Sequence, residues 1–158
     1  MKGASKVYFG RRYMLSASHR LHAEALTAEQ NRVAYGKCNN ENGHGHDYFV
    51  EVMVGGPVNA ETGMVVDLAA LDSVVRERVL DRFDHANLNL DPLFSDRVPT
   101  TENFSRAIFA LLNDAVPNGK LEQVRVEETE NNFFECVGGR INDYGASYSG
   151  HKSDSSSG

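Results

Sequence analysis

Two runs of alternating hydrophobicity carry histidines in phase with their apolar positions, and no other feature restricts the fold as much. In Lys6–Leu21, Val7, Phe9, Tyr13, Leu15 and Ala17 share one face of an extended chain, and His19 keeps their phase. In Asp47–Val54, Tyr48, Val50, Val52 and Val54 alternate in the same way, and His44 and His46 just upstream fall on the same side. Side chains two apart leave one side of a strand. Both histidine groups are therefore expected to point toward an apolar interior rather than toward water.

The rest of the chain supplies what such strands pack against. Glu24–Asn42 is polar and poorly periodic and reads as a loop carrying Cys38. Gly55-Gly56-Pro57 ends the second strand. Asp67–Phe83 places Leu68, Leu71, Val75, Val79 and Phe83 at helical spacing. A turn region, Asp84–Pro99, leads into a second helix at Thr101–Ala115, with Phe104, Ile108, Leu111 and Leu112 as its stripe and Pro117-Asn118-Gly119 as its stop. Two more strands, Leu121–Thr129 and Phe133–Val137, flank a hairpin turn at Glu130-Asn131-Asn132. The order β-β-α-α-β-β predicts an α+β fold, a four-stranded antiparallel sheet with two helices packed on one face. Residues 1–144 are expected to form one domain, and the Ser- and Gly-rich stretch Gly145–Gly158 to be disordered.

Composition narrows the function classes. A net charge of −6 argues against a nucleic-acid binder, whose footprint is basic. Cys38 and Cys136 stand far apart and form no disulfide framework, which points to a reducing compartment. The N-terminal stretch lacks a signal-peptide apolar core, and no run reaches transmembrane length. A cytoplasmic location without membrane attachment is the expectation.

Three histidines without an evident fourth ligand describe a zinc site with an open position. His-x-His alone is a weak signal, but His19 on an apolar face strengthens it, because buried imidazoles need partners and a metal satisfies several at once. Cys38 has three readings: an inert buried thiol, a fourth ligand closing a structural site, or a thiolate beside the metal that accepts a proton. Asp84-His85 at a helix end reads by itself as a C-terminal histidine favoured by the helix dipole, with an acid/base pair as the alternative. Glu128 continues the phase of Val124 and Val126, so a carboxylate falls on an apolar face and must be paired. Its partner is either an internal salt bridge or the two adjacent N–H donors of a bound heterocycle. Thr100-Thr101-Glu102 has the form of a helix N-cap with an acid in the first turn.

The chain resembles the 6-pyruvoyl-tetrahydropterin synthase family across roughly Lys6 to Val137. The resemblance rests on S-A-S-H-R-L at Ser16–Leu21, G-K-C-N-N-x-N-G-H-G-H at Gly36–His46 and T-G-M-V at Thr62–Val65, together with D-H-x-N-L at Asp84–Leu88, T-T-E-N at Thr100–Asn103 and E-T-x-N-N at Glu128–Asn132, all in the family's order. It implies that His19, His44 and His46 bind one catalytic zinc per subunit. It implies that Cys38 is the general base, Asp84 with His85 its partner dyad, and Glu128 the pterin anchor, with Thr100, Thr101 and Glu102 lining the same pocket. The family's tunnelling fold assembles into trimeric rings that pair into hexamers, with sites at subunit interfaces, so the dyad would come from a neighbouring subunit.

The reaction implied is conversion of 7,8-dihydroneopterin triphosphate to 6-pyruvoyl-tetrahydropterin with release of inorganic triphosphate, in tetrahydrobiopterin biosynthesis. Arg20, Lys37 and Arg11 or Arg12 are candidate contacts for the triphosphate. Within the family, a queuosine-pathway 6-carboxytetrahydropterin synthase competes with this reading, but Cys38 stands six residues before His44, as in the biopterin-pathway enzymes. Outside this chemistry stand a pterin-binding module without turnover and a structural zinc protein closed by Cys38.

Overall fold

In the computed structural model, residue 3 and residues 5–138 are described. The first strand, β1 (Lys6–His19), pairs along its whole length with β2 (His44–Pro57) in antiparallel register, Ala17 opposite His46 and His19 opposite His44. β2 continues to β4 (Lys120–Glu127), which pairs with β5 (Phe133–Val137), both antiparallel. On the far side of β1, the two-residue strand β3 (Ala86–Asn87) adds in parallel to Ala17 and Ser18. Among the described residues the sheet is therefore five-stranded, in the order β3-β1-β2-β4-β5. The expected α+β architecture holds, but the four-stranded, wholly antiparallel sheet does not. Two residues are too few to carry a periodic signal, so β3 is invisible as a hydrophobic pattern.

Nor is Glu24–Asn42 a plain loop. It contains α1 (Ala28–Tyr35) and a 3-10 turn at Gly36–Asn39. Apart from its buried Asn31 and half-buried Tyr35, α1 is exposed, so apolar periodicity could not find it. Its start is nonetheless written in the sequence. Thr27 and Gln30 form a reciprocal capping box, Gln30 N–H to Thr27 Oγ1 at 3.2 Å and Thr27 N–H to Gln30 Oε1 at 2.9 Å. Asn31 is fully buried, accepting from Ala23 N–H at 2.8 Å and donating to the carbonyls of Ala23, Leu26 and Thr27. A polar knot, rather than an apolar stripe, fixes this segment.

The predicted helix at Asp67–Phe83 is one continuous rod in three pieces: α2 (Leu68–Val75), a π-helical turn (Arg76–Leu80) and α3 (Asp81–Phe83). Asp67 caps it through Ala70 N–H at 3.0 Å. α4 (Thr101–Leu112) follows a stretch of 3-10 turns, and Thr100 caps it through Asn103 N–H at 3.2 Å. The inward faces of β2 and β4 (Tyr48, Val50, Val52, Val54, Val124, Val126) meet Leu71, Val75, Val79 and Phe83 from one rod and Phe104, Ile108 and Leu112 from the other. Each such side chain contributes about 1.5–3 kcal/mol through removal from water. Leu15, Ala17 and His19 of β1 are buried on the same face, as their phase predicts. The expectation of disorder for Gly145–Gly158 and the domain limit at residue 144 lie outside the described residues.

Candidate active site

The core layer runs directly into the histidines. Because His19 pairs with His44 across β1 and β2, and His46 sits two positions further along the same face, the three rings converge at one end of the sheet. Their ring centroids lie 4.6, 4.8 and 5.3 Å apart, and the three potential ligand atoms all fall within 4.8 Å of one another. Gly43 makes the entry into β2 possible. Its φ is +67°, and a Cβ there would sit 2.9 Å from the His19 carbonyl oxygen.

Hydrogen bonding sets which nitrogens face inward. His19 Nδ1 lies 2.8 Å from the Pro99 carbonyl, which can only accept, so Nδ1 carries the proton and Nε2 keeps a lone pair. That Nε2 is 3.0 Å from His44 Nε2. His46 Nε2 is buried and has no hydrogen-bond partner among the described residues. Burial lowers the pKa of both His19 and His46, so both rings are neutral at pH 7. Neutral imidazoles with converging lone pairs, one of them an orphan, are a donor set that fits a borderline-soft divalent cation. His19, His44 and His46 can thus hold a metal ion, as expected.

Glu128 stands just past the end of β4, on the face its phase predicts. Its Oε1 accepts a hydrogen bond from Thr101 Oγ1 at 2.6 Å and lies 3.7 Å from both His19 Nε2 and His46 Nε2. Its side chain is 16% exposed, so the carboxylate is sheltered but reachable. Glu128 N–H donates to the Asn132 carbonyl at 3.0 Å, while Thr129 Oγ1 accepts from Asn131 N–H and Asn132 N–H, so the E-T-x-N-N segment is a built turn. Of the T-T-E residues, Thr101 joins this group, Thr100 serves as the cap of α4, and Glu102 is exposed on the first turn.

Cys38 sits half-buried in the 3-10 turn after α1 and is not among the gathered ligand atoms. Its carbonyl accepts from Leu21 N–H at 2.9 Å, Asn39 Nδ2 donates to the Leu21 carbonyl at 2.8 Å, and Arg20 Nε donates to the Asn39 carbonyl at 3.1 Å. The loop is thereby stitched to the residues that follow His19. Pro99, Thr101's bond to Glu128, Asn31 and Asn39 have roles that the sequence pattern does not show. The side-chain clamps were signalled only by asparagines in a polar segment.

Asp84 and His85 lie elsewhere, where β3 joins β1. Asp84 Oδ1 accepts from Ser16 N–H at 2.9 Å and is 3.0 Å from His85 Nδ1, while His85 N–H donates to the Ser16 carbonyl at 2.6 Å. The Ser16 N–H, then the His85 ring, hold the Asp84 carboxyl below the usual range. Adjacent residues orient one another poorly in ordinary backbone, but His85 has φ +58°, a left-handed turn in which its ring meets the carboxylate. The His85 side chain is 82% exposed and borders a shallow cavity of about 500 Å³ that His46 also borders. The bonds of the pair run to Ser16 and to each other, not to Glu128, Thr101 or the three histidines.

No described helix is long and apolar enough to cross a membrane. The profile of the 6-pyruvoyl tetrahydropterin synthase family matches residues 9–138. A human protein named 6-pyruvoyl tetrahydrobiopterin synthase is 47% identical over 129 residues, 81% of this chain and 89% of that protein. One of the same name from Poecilia reticulata is 43% identical over 127 residues, 80% of this chain and 86% of that protein. The solved structure of Caenorhabditis elegans 6-pyruvoyl tetrahydropterin synthase superposes with a TM-score of 0.83 at 40% identity, covering 88% of this chain and all of that one. The chain belongs to the 6-pyruvoyl tetrahydropterin synthase family.

Proposed function

We propose that the protein converts 7,8-dihydroneopterin triphosphate to 6-pyruvoyl-tetrahydropterin and inorganic triphosphate, with one zinc per subunit held by His19, His44 and His46. The observation that carries the proposal is the placement of the Glu128 carboxylate, held by Thr101 Oγ1, 3.7 Å from the nitrogens of His19 and His46. A heterocycle bound by that carboxylate through two adjacent N–H groups has its side chain beside the donor set. When bound, zinc supplies Lewis acidity that makes the hydroxyl-bearing carbons of the substrate side chain easier to deprotonate. Everything else is done by the chain. Glu128 fixes the ring, and Thr101 fixes Glu128. The Pro99 carbonyl fixes the His19 tautomer, keeping its Nε2 available as a donor.

Cys38 as thiolate takes the proton from the side-chain carbon, and its turn is held against Leu21 for that role. The Asp84-His85 pair exchanges protons with the substrate from a neighbouring subunit, in a hexamer built as a dimer of trimers. Its exposure in the single chain supports that arrangement. Hydrogen lost by the side chain is gained by the ring, so the redox change is internal and no nicotinamide is required. Residues 1–144 make up the catalytic domain, acting in the cytoplasm. The three histidines gather without Cys38, which favours a site with an open position over a structural one closed by the thiol. The test is to load the protein with zinc, add 7,8-dihydroneopterin triphosphate and follow both products. Stoichiometric 6-pyruvoyl-tetrahydropterin and triphosphate support the proposal; 6-carboxytetrahydropterin as the dominant product contradicts it.

A further inference from the structure

Arg11, Arg12, Arg20 and Lys37 are equivalent candidates for a triphosphate when only the sequence is read; their environments are not equivalent. Arg11 is committed to Asp72, with Nε and Nη2 donating to its two carboxylate oxygens at 3.2 and 3.1 Å, and Tyr13 Oη donates to the same carboxylate at 2.8 Å. Arg12 is ion-paired with Glu127, and its guanidinium stands 5.1 Å above the Phe49 ring. Arg20 differs. Its Nε donates to a neutral acceptor, the Asn39 carbonyl, which fixes one edge of the guanidinium and leaves its charge without a carboxylate among the described residues. Lys37 is exposed and has no ion pair among the described residues. These two cations, with Arg32 and His22, line a cavity of about 710 Å³ whose wall includes Asn39 and, among the described residues, a single acid, Glu41.

Resting on the function just proposed, we propose that this cavity is the triphosphate subsite, with Arg20 and Lys37 as its principal contacts. On a chain of net charge −6, a polyanion is repelled except where local cations outnumber acids, as they do here. Arg20 presents a planar fork suited to two phosphate oxygens, and Lys37 a mobile point charge. Arg32 contributes less, because Glu29 shares it. Two of the cavity's residues adjoin the site along the chain: Arg20 follows His19 directly, and Lys37 directly precedes Cys38. A substrate with its ring on Glu128 and its reacting carbons at His19 and Cys38 would then extend its phosphates into this cavity. The Arg20–Asn39–Leu21 clamp gives the cavity a second consequence, since the same bonds that hold Cys38 also aim the guanidinium.

The experiment uses zinc-loaded protein and inorganic tripolyphosphate as the probe, by calorimetry and as an inhibitor, alongside substrate kinetics. Lys37→Ala should weaken tripolyphosphate binding and raise KM for the substrate about tenfold each, the scale of one charge-assisted contact. Zinc content should stay unchanged, and Lys37→Arg should restore most of both. Arg12→Ala, changing a cation already paired, should leave tripolyphosphate affinity as it was. Added salt should weaken tripolyphosphate binding to the wild type more steeply than to Lys37→Ala. Unchanged tripolyphosphate affinity in both Lys37→Ala and the Arg32→Ala/Lys37→Ala double variant would overturn the subsite. If the wild type does not turn over the substrate, the function proposed above fails, while the calorimetric comparison still decides the subsite by itself.

Discussion

Glu128→Gln separates the proposed ring anchor from the metal. The glutamine is nearly isosteric and keeps an oxygen for the Thr101 hydroxyl, whose bond to Oε1 is 2.6 Å long. It replaces the second acceptor oxygen by an NH2 group and removes the charge. A heterocycle that offers two N–H donors then meets one acceptor and one donor. One charge-assisted hydrogen bond, worth about 1.5–3 kcal/mol, is lost. Each 1.4 kcal/mol is a factor of about ten, so KM should rise roughly 10- to 150-fold. The carboxylate also stands 3.7 Å from His19 Nε2 and His46 Nε2, so removing its charge weakens metal affinity as well. That effect is the smaller one, because Glu128 does not belong to the gathered ligand atoms. Steady-state kinetics at saturating zinc, with metal content measured on the same samples, separates the two. A Glu128→Gln protein with zinc bound and an unchanged KM would refute the anchoring role, and one that cannot be loaded with zinc would show that Glu128 belongs to the metal site instead.

Further outcomes follow from the same geometry. His19 and His46 both have folded pKa values lowered by burial, so their neutral forms contribute stability that is present above the unfolded imidazole value, about 6.5, and is lost as pH falls through the folded values. Protons also compete with the metal for the same nitrogens. Bound zinc and the Tm of the metal-free protein should therefore be level from pH 7 to 8 and both fall on acidification; a zinc content unchanged down to about pH 5 would count against these ligands. If each site combines Cys38 of one subunit with His85 of another, co-refolding equal amounts of Cys38→Ala and His85→Ala should restore about one quarter of wild-type activity from two inactive proteins. No recovery, with mixed oligomers confirmed by mass, would place the whole site within one subunit.

How much of the molecule is legible in its sequence depends on whether the signal is periodic. The two histidine strands are, because alternation fixes the face on which a side chain leaves: His19, His44 and His46 are where the phase of Leu15 and Tyr48 puts them, and Glu128 where Val126 puts it. The helical stripes at Leu71–Phe83 and Phe104–Leu112 read correctly for the same reason. α1 does not, since its anchor is Asn31 and its start is a capping box rather than an apolar face. β3 does not, since it is two residues long and its partner, β1, is remote in sequence. The Asp84-His85 pair is inert by spacing alone, because a positive φ at His85 is a backbone property that residue type does not announce. Cys38 stays open among three roles until the family resemblance supplies one. The free cations are indistinguishable from the paired ones until Asp72 and Glu127 are found against Arg11 and Arg12.

In the proposed mechanism three histidines hold the metal while Cys38, outside the coordination group, moves the proton. Cys38→Ala, assayed in parallel for bound zinc and for triphosphate release, tests it most directly. Zinc should stay at the wild-type stoichiometry and the fold unchanged by circular dichroism, while turnover should fall by at least about a hundredfold, the lower end of what a general base contributes. Loss of zinc from Cys38→Ala would make the cysteine a ligand, and wild-type turnover would remove it from the mechanism.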